Sequence, residues 1–317
     1  MDRRQLLTHQ LGNFVQSLVL LGGMVGLLGL IAWIVAGPEA IVWTLLGGAV
    51  ALALGPRVSP RFVLRLYGAR EVRPEETPDL HALVGELARR TGLGRAPRLY
   101  YVPSSAMNAF TLGRRDDAAM TVTDGLLRRL GGRELAGVLA HEISHIRHND
   151  MWIMGLADSV SRLTRTLSLF GTLLLFVNLP LFLLDYGHVP WLAIVILVVS
   201  PTASALMQLA LSRNREFDAD LGAARITGDP VGLASALDKL ERYQGRMWEQ
   251  IFMPGRRIPE PSLLRTHPPT EERVHRLLAL APPRPAPPLP AFPGFVLPRG
   301  WPVVRRRPRW HWSGIWH

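Results

Sequence analysis

The chain has 317 residues, of which 48% are hydrophobic, and it carries a formal net charge of +11 at pH 7. It contains no cysteine, which excludes disulfide bonds and thiolate metal ligands. The positive charge does not indicate a nucleic-acid partner, because six arginines lie in the last 36 residues and others flank long apolar runs. Anionic lipid at a membrane surface accounts for this charge more simply.

The apolar residues concentrate in four long runs, a pattern typical of a membrane protein. The runs cover residues 18–36, 40–56, 166–184 and 186–212. One run alone could be a buried core helix, but four runs in two pairs predict two transmembrane hairpins, although the second run is near the lower length limit. The first run is too long for a cleaved signal peptide and is interpreted as an uncleaved anchor.

Basic residues orient these hairpins, because arginines near the ends of spans stay on the cytoplasmic side. Arginines precede the first run, follow the second and flank the second pair: Arg3, Arg4, Arg57, Arg61, Arg65, Arg70, Arg162, Arg165, Arg213 and Arg215. The turns between paired runs contain no lysine or arginine. We therefore expect both turns to lie on the side of the membrane that faces away from the cytoplasm. Both termini and the remaining polar chain are expected in the cytoplasm.

The polar segments are predicted to contain helices and a few strands. Thr77 and Pro78 are a typical helix start and Gly92 is a typical helix end, so a helix is predicted between them. Strands are predicted over residues 98–102, 108–113 and 118–123. Further helices are predicted after residue 124 and over residues 133–149, 229–243 and 270–280, with a break at Gly131 and Gly132. The soluble part is therefore expected to be mainly helical (α+β), with one small sheet.

The strongest chemical signal is the sequence His141-Glu142-Ile143-Ser144-His145. Residues four apart share one face of a helix, so the two histidines can bind one metal ion. Zinc suits nitrogen and carboxylate ligands, and Glu142 would lie beside its open position, where a carboxylate can accept a proton from water. The alternative is a solvated helix face that happens to be rich in His and Glu.

A catalytic zinc ion needs a third protein ligand. His148 lies only three residues after the second histidine, too close in register to complete the ligand set. Glu216 is the better candidate, because it shares a predicted helical face with Asp220, which could accept the free ring N–H of a ligand histidine. The alternative is an exposed acidic face that balances Arg213 and Arg215.

These motifs resemble those of the HtpX-type membrane metallopeptidases, relatives of the CAAX prenyl proteases, over roughly residues 1 to 280. The resemblance is carried by the motif at 141–145 with Asp150, by residues 107–110 and 212–220, and by Thr266-His267-Pro268-Pro269 with Glu272-Arg273. It implies a zincin-like domain in which one zinc ion is bound by His141, His145 and Glu216. It also implies Glu142 as the general base and Asp220 as a supporting residue.

Two further site predictions concern substrate binding and stabilisation of the oxyanion. Asn108, Ala109 and Phe110 would begin an edge strand along which an extended substrate pairs through its backbone, a sequence-tolerant mode of binding. The alternative is an ordinary hairpin strand. By family likeness, His267 would stabilise the oxyanion that forms during hydrolysis. Without that likeness, a histidine before two prolines is a loop residue.

The predicted organisation has five parts. They are an N-terminal transmembrane hairpin (1–56), a cytosolic part with the histidine motif (57–157), a second hairpin (158–212), a cytosolic part with the third ligand (213–281) and a tail (282–317). The tail contains ten of the 26 prolines and four of the nine tryptophans. We expect it to be extended or disordered, to lie outside the catalytic fold and to bind anionic lipid.

The predicted function is a membrane-embedded zinc endopeptidase. The resemblance implies polypeptide substrates, namely misfolded or damaged membrane proteins cut at the cytoplasmic face. Two alternatives stay open: processing of a defined substrate, which could be lipidated, and a sensor that binds peptides without turnover. The intact Glu142 argues against the sensor, and the sequence leaves the oligomeric state open.

Overall fold

A computed structural model describes residues 3–44, 46, 60–185, 190–252, 268–280 and 288–302. Helices α1–α9 cover Arg3–Ala36, Pro60–Leu66, Pro78–Thr91, Asp124–Arg129, Gly132–His148, Asp150–Leu183, Trp191–Thr227, Pro230–Phe252 and Thr270–Ala279. Strands β1–β4 cover Arg70–Glu71, Arg98–Val102, Ala109–Arg114 and Asp117–Thr123. Helix α2 and strand β1 were not predicted from the sequence, and the end of α8 was predicted too early, at residue 243. The other predicted elements of the polar segments are present.

By its contacts the chain forms two compact units. The sheet unit comprises Met1–Leu7, Val58–Met151 and Arg215–His317, and the apolar-helix unit comprises Thr8–Arg57 and Trp152–Asn214. Helix α6 begins at Asp150 and is unbroken to Leu183, so the predicted division after residue 157 falls inside a helix.

Three helices are long and apolar enough to cross a membrane: Leu11–Ile34, Asp150–Leu183 and Trp191–Thr227. They contain most of the first, third and fourth predicted runs, and the chain is an integral membrane protein. Within the apolar-helix unit, Met24 and Leu28 of α1 pack with Ala157 and Val160 of α6 and with Leu211 of α7. The second predicted run lies largely outside the described residues.

The sheet unit contains a four-stranded mixed sheet with the order β1-β2-β4-β3. Strands β2 and β4 are parallel and the other two pairs are antiparallel, so β3 lies at an edge. Helix α3 buries Leu83 and Leu87 in the core and ends at Gly92, whose φ of 72° suits a residue without a side chain. Thr77 does not cap this helix, because its hydroxyl contacts His81 Nδ1 at 3.3 Å instead.

The described part of the tail corrects the prediction that the tail lies outside the catalytic fold. Residues 288–302, which we call the strap, form no helix or strand, as the proline content indicated. Their apolar side chains nevertheless pack against the core of the sheet unit: Leu289, Phe292, Phe295, Leu297 and Trp301. Proline removes backbone hydrogen bonds but does not prevent neighbouring side chains from being buried.

Trp301 is the most buried residue of the strap, with 4% of its surface exposed. Its ring lies 4.6 Å from that of Tyr101, and its indole N–H donates a hydrogen bond to Glu76 at 3.1 Å. Trp301 is therefore part of the protein core and does not lie at a lipid surface, which corrects the expectation of lipid binding for this part of the tail. Residues 303–317 lie outside the described residues, and their binding to anionic lipid stays a prediction.

Trp301→Ala is expected to destabilise the sheet unit, because truncation of a buried tryptophan typically costs about 3–5 kcal/mol. Thermal unfolding of the full-length protein in detergent, followed by circular dichroism, should show a midpoint lower by several degrees. Val296→Ala is the matched control, because Val296 lies in the strap but is 85% exposed. Equal midpoints for the two variants would mean that the strap does not stabilise this unit.

Candidate active site

Helix α5 presents two histidines on one face. His141 and His145 are one helical turn apart, and their Nε2 atoms lie 3.1 Å from each other. His141 is buried, and His145 is partly exposed. The spacing of the motif therefore brings the two rings to one point, as the sequence predicted.

Glu216 of α7 approaches the same point. Its carboxylate oxygens lie 3.5 Å from His141 Nε2 and 3.9 Å from His145 Nε2, and one candidate ligand atom from each residue lies within 4.8 Å of the others. Helix α7 can come this close because Gly222 has no side chain. A Cβ atom at that position would lie 2.1 Å from Ser144 Oγ of α5. Three candidate metal ligands on two helices thus converge.

The second ring nitrogen of each histidine contacts a carboxylate. His141 Nδ1 lies 2.9 Å from Asp220, the residue that the sequence placed on the same face as Glu216. His145 Nδ1 lies 2.7 Å from Asp150, the first residue of α6. When each Nδ1–H is donated to its carboxylate, each Nε2 atom keeps a lone pair for a metal ion.

Two arginines pair with these carboxylates. Arg273 of α9 donates hydrogen bonds to Asp220 at 2.7 and 2.8 Å, and its guanidinium lies 3.3 Å from Glu216. Arg215 donates to Asp150 at 2.6 Å. From the sequence alone, Asp150 and Arg273 were recognisable only as parts of motifs. Their positions depend on the start of α6 and on α9, and no spacing within the histidine motif could reveal them.

The site carries an excess of negative charge, which fits a cation. Its carboxylates belong to Glu142, Asp150, Glu216, Asp218 and Asp220, and its guanidiniums to Arg215 and Arg273. Burial by itself disfavours the charged form of His141, but hydrogen bonds to Asp220 and Glu216 raise its pKa to about 10. The negative charge that holds a proton there would also stabilise a divalent cation, and two imidazoles with one carboxylate suit zinc.

Glu142 lies next to the candidate ligands and lines an open cleft. Burial raises the pKa of its carboxyl above the usual range, and the two neighbouring histidines partly offset this effect. A side-chain hydrogen bond from Thr111 also connects this carboxylate to strand β3. A carboxylate so placed can exchange a proton with a water molecule in the cleft.

The cleft has a volume of about 210 Å³ and reaches the start of β3, where Asn108 and Ala109 line it. The strand begins at Ala109, one residue later than predicted, although the Asn108 carbonyl still accepts a hydrogen bond from the Thr123 N–H at 3.1 Å. Phe110 is half-buried, and its ring lies 4.9 Å from that of Tyr67. His267 lies outside the described residues, and its proposed role stays a prediction.

The chain is similar to known proteins over most of its length. The sequence profile of peptidase family M48 matches residues 74–281. The chain is 35% identical to the Protease HtpX homolog of Burkholderia ambifaria over 287 residues, which covers 85% of this chain and 97% of that protein. It is 34% identical to the Protease HtpX homolog of Methylibium petroleiphilum over 299 residues, which covers 86% and 99%. The solved structure of S. mikatae Ste24p is similar with 18% identity and a TM-score of 0.49, covering 85% of this chain and 66% of that chain.

Glu216→Ala is expected to lose most of the bound zinc, because two histidines alone leave the ligand set incomplete. His148→Ala is the matched control, since His148 contacts Ser144 at 3.5 Å and is not part of the converging group. Zinc content per chain, measured by inductively coupled plasma mass spectrometry after desalting, should be near one for the control. Stoichiometric zinc in Glu216→Ala would place the third ligand elsewhere.

Proposed function

The chain belongs to peptidase family M48 and is a membrane metalloprotease, and on this premise we propose that it is a zinc endopeptidase that cuts misfolded or damaged membrane proteins at the cytoplasmic face of the cell membrane. The observation that carries the proposal is the convergence of His141, His145 and Glu216 beside Glu142 in an open cleft. The family is zinc dependent, and this donor set suits zinc.

In the proposed reaction, His141, His145 and Glu216 hold the zinc ion. Zinc, when bound, supplies a Lewis acid that polarises the scissile carbonyl and makes water more acidic. The Glu142 carboxylate accepts a proton from the attacking water and then delivers it to the leaving amine. His267 donates a hydrogen bond to the oxyanion that develops on the carbonyl.

The substrate is proposed to bind as an extended strand along β3. This strand is at an edge of the sheet, and its first residue, Ala109, lines the cleft together with the preceding Asn108. Backbone pairing tolerates many sequences, which suits a protease that removes damaged proteins of different kinds. A folded protein already pairs its own backbone groups, so only an unfolded segment can bind in this way.

The orientation follows from the charges that flank the spans. Arginines lie on the polar side of the apolar runs, whereas the turns within the pairs contain no lysine or arginine. We therefore place the sheet unit in the cytoplasm.

Glu142→Gln is expected to keep its zinc but to lose hydrolysis by a factor of about 10² to 10⁴, because an amide cannot accept the proton. The assay is release of dye from a labelled, denatured protein by the purified enzyme in detergent, with zinc content measured in parallel. Glu86→Gln is the control, since Glu86 pairs with Arg89 and Arg90 on α3, away from the cleft. Undiminished cleavage by Glu142→Gln would refute the assigned mechanism.

The orientation can be tested with single cysteines, because the natural chain contains none. Leu184→Cys, in the exposed turn directly after α6, should react in intact cells with a maleimide that does not cross the membrane. Asp116→Cys, in the exposed turn between β3 and β4, should react only after the cells are permeabilised. Labelling of both positions under the same condition would show that the two sites are on one side of the membrane.

A further inference from the structure

One wall of the cleft is apolar. Its residues come from α4, α5, α8 and the segment before β3: Met107, Leu126, Val138, Leu233, Leu237 and Leu240. All except Leu240 are at most 8% exposed. Gly137 allows α8 to pack this closely on α5, because a Cβ atom there would lie 2.9 Å from the backbone of Leu233. The apolar wall is therefore continuous with the helix that carries the histidine motif.

Glu241 ends this wall. On α8 it follows Leu233 by eight residues and Leu237 by four, so the three residues lie on one face of the helix. Exposure increases along that face: Leu233 is 1% exposed, Leu237 is 8% exposed, Leu240 is partly buried and Glu241 is exposed. The face thus changes from a buried apolar surface to an accessible carboxylate.

Among the described residues that line the cleft, Glu241 is the carboxylate that is available to a substrate. Glu142 and Glu216 belong to the catalytic group, and Arg273, which also lines the cleft, pairs with Asp220 and Glu216. Among the residues that the structure describes, Glu241 has no ion pair. A positively charged side chain entering the cleft would therefore be attracted to this end of the apolar wall.

We infer that this cleft selects substrate segments in which a bulky apolar residue lies two positions from a lysine or arginine, an inference that rests on the proposed function. Four residues of α8 cover about 6 Å along the helix axis. This is roughly the rise of two residues in an extended strand, whose side chains two positions apart point the same way. The apolar side chain would contact Leu237 while the basic side chain reaches Glu241.

Segments with this pattern are found at the cytoplasmic ends of membrane spans. There the apolar residues of the span give way to the lysines and arginines that are retained on the cytoplasmic side. In an assembled membrane protein this boundary is part of a helix, and its backbone groups are paired. The cleft therefore matches the cytoplasmic boundary of a span that has lost its helical structure.

Quenched fluorescent peptides test the inference with the purified full-length enzyme in detergent with zinc. The host peptide consists of Gly, Ser and Ala, with one Leu and one Lys two positions apart. Replacing Leu by Ala is expected to lower kcat/KM by about tenfold or more, because the apolar wall loses its contact. Replacing Lys by Glu should lower kcat/KM by about twofold to fivefold at low salt, and less at high salt.

Variants of Glu241 assign the charge preference to this residue. Glu241→Gln should remove the preference for Lys over Glu, and Glu241→Lys should reverse it, while zinc content and thermal midpoint stay unchanged. Asp238→Asn is the matched control, because Asp238 is on the same helix but pairs with Arg242 and does not line the cleft. This control should keep the preference for Lys.

The possible results separate the inference from the proposed function. Cleavage of all peptides at similar rates, or a preference for Lys that survives in Glu241→Lys, would overturn the inference and leave the protease assignment intact. A preference for Lys at every spacing from Leu would overturn the two-residue register. No cleavage of any peptide or denatured protein by the zinc-loaded enzyme would overturn the proposed function itself.

Discussion

The active site depends on the pairing of charges that the fold has removed from water. Each candidate ligand histidine contacts a carboxylate through Nδ1, and each of those carboxylates is paired with an arginine. A buried charge without a partner is strongly destabilising, so the loss of one member would leave others uncompensated. His141 contacts Asp220, and Asp220 pairs with Arg273, so these contacts connect helices α5, α7 and α9. The position of the candidate ligands is therefore a property of the packed unit and not of the motif helix alone.

The sequence predicted those parts of the site that lie within one helix. His141, Glu142 and His145 follow from the helical repeat, and so does the pairing of Glu216 with Asp220. It predicted the end of this helix at residue 149, but it could not predict that the left-handed conformation of Asn149, with φ of 55°, would bring Asp150 back to His145. It also could not predict the close packing at Gly222. Both features arise from contacts between helices. Such contacts leave no periodic pattern in the sequence.

The strap shows how a correct local prediction led to a wrong tertiary one. The prolines of residues 288–302 do exclude helix and strand, and the segment is irregular as expected. The wrong assumption was that a segment with irregular backbone does not pack against the core. The Phe295 ring stacks on that of Tyr101, the Trp301 ring lies tilted against it, and Arg70 lies over the Trp301 ring at 4.9 Å. Apolar residues at irregular spacing carry no periodic signal, so their burial becomes visible only when the receiving surface is known.

The two kinds of recognition proposed for the cleft differ in the origin of their free energies. The proposed pairing along β3 would use backbone groups that every unfolded segment offers, so by itself it would exclude folded proteins but would not distinguish one unfolded sequence from another. Discrimination must then come from side chains, and the apolar wall that ends at Glu241 is the surface that α8 contributes for this purpose. An exposed carboxylate interacts with a cation by less than about 1 kcal/mol, which ranks substrates without excluding any. A site built in this way would first require that a segment be unfolded and would then favour segments from the boundary of a membrane span.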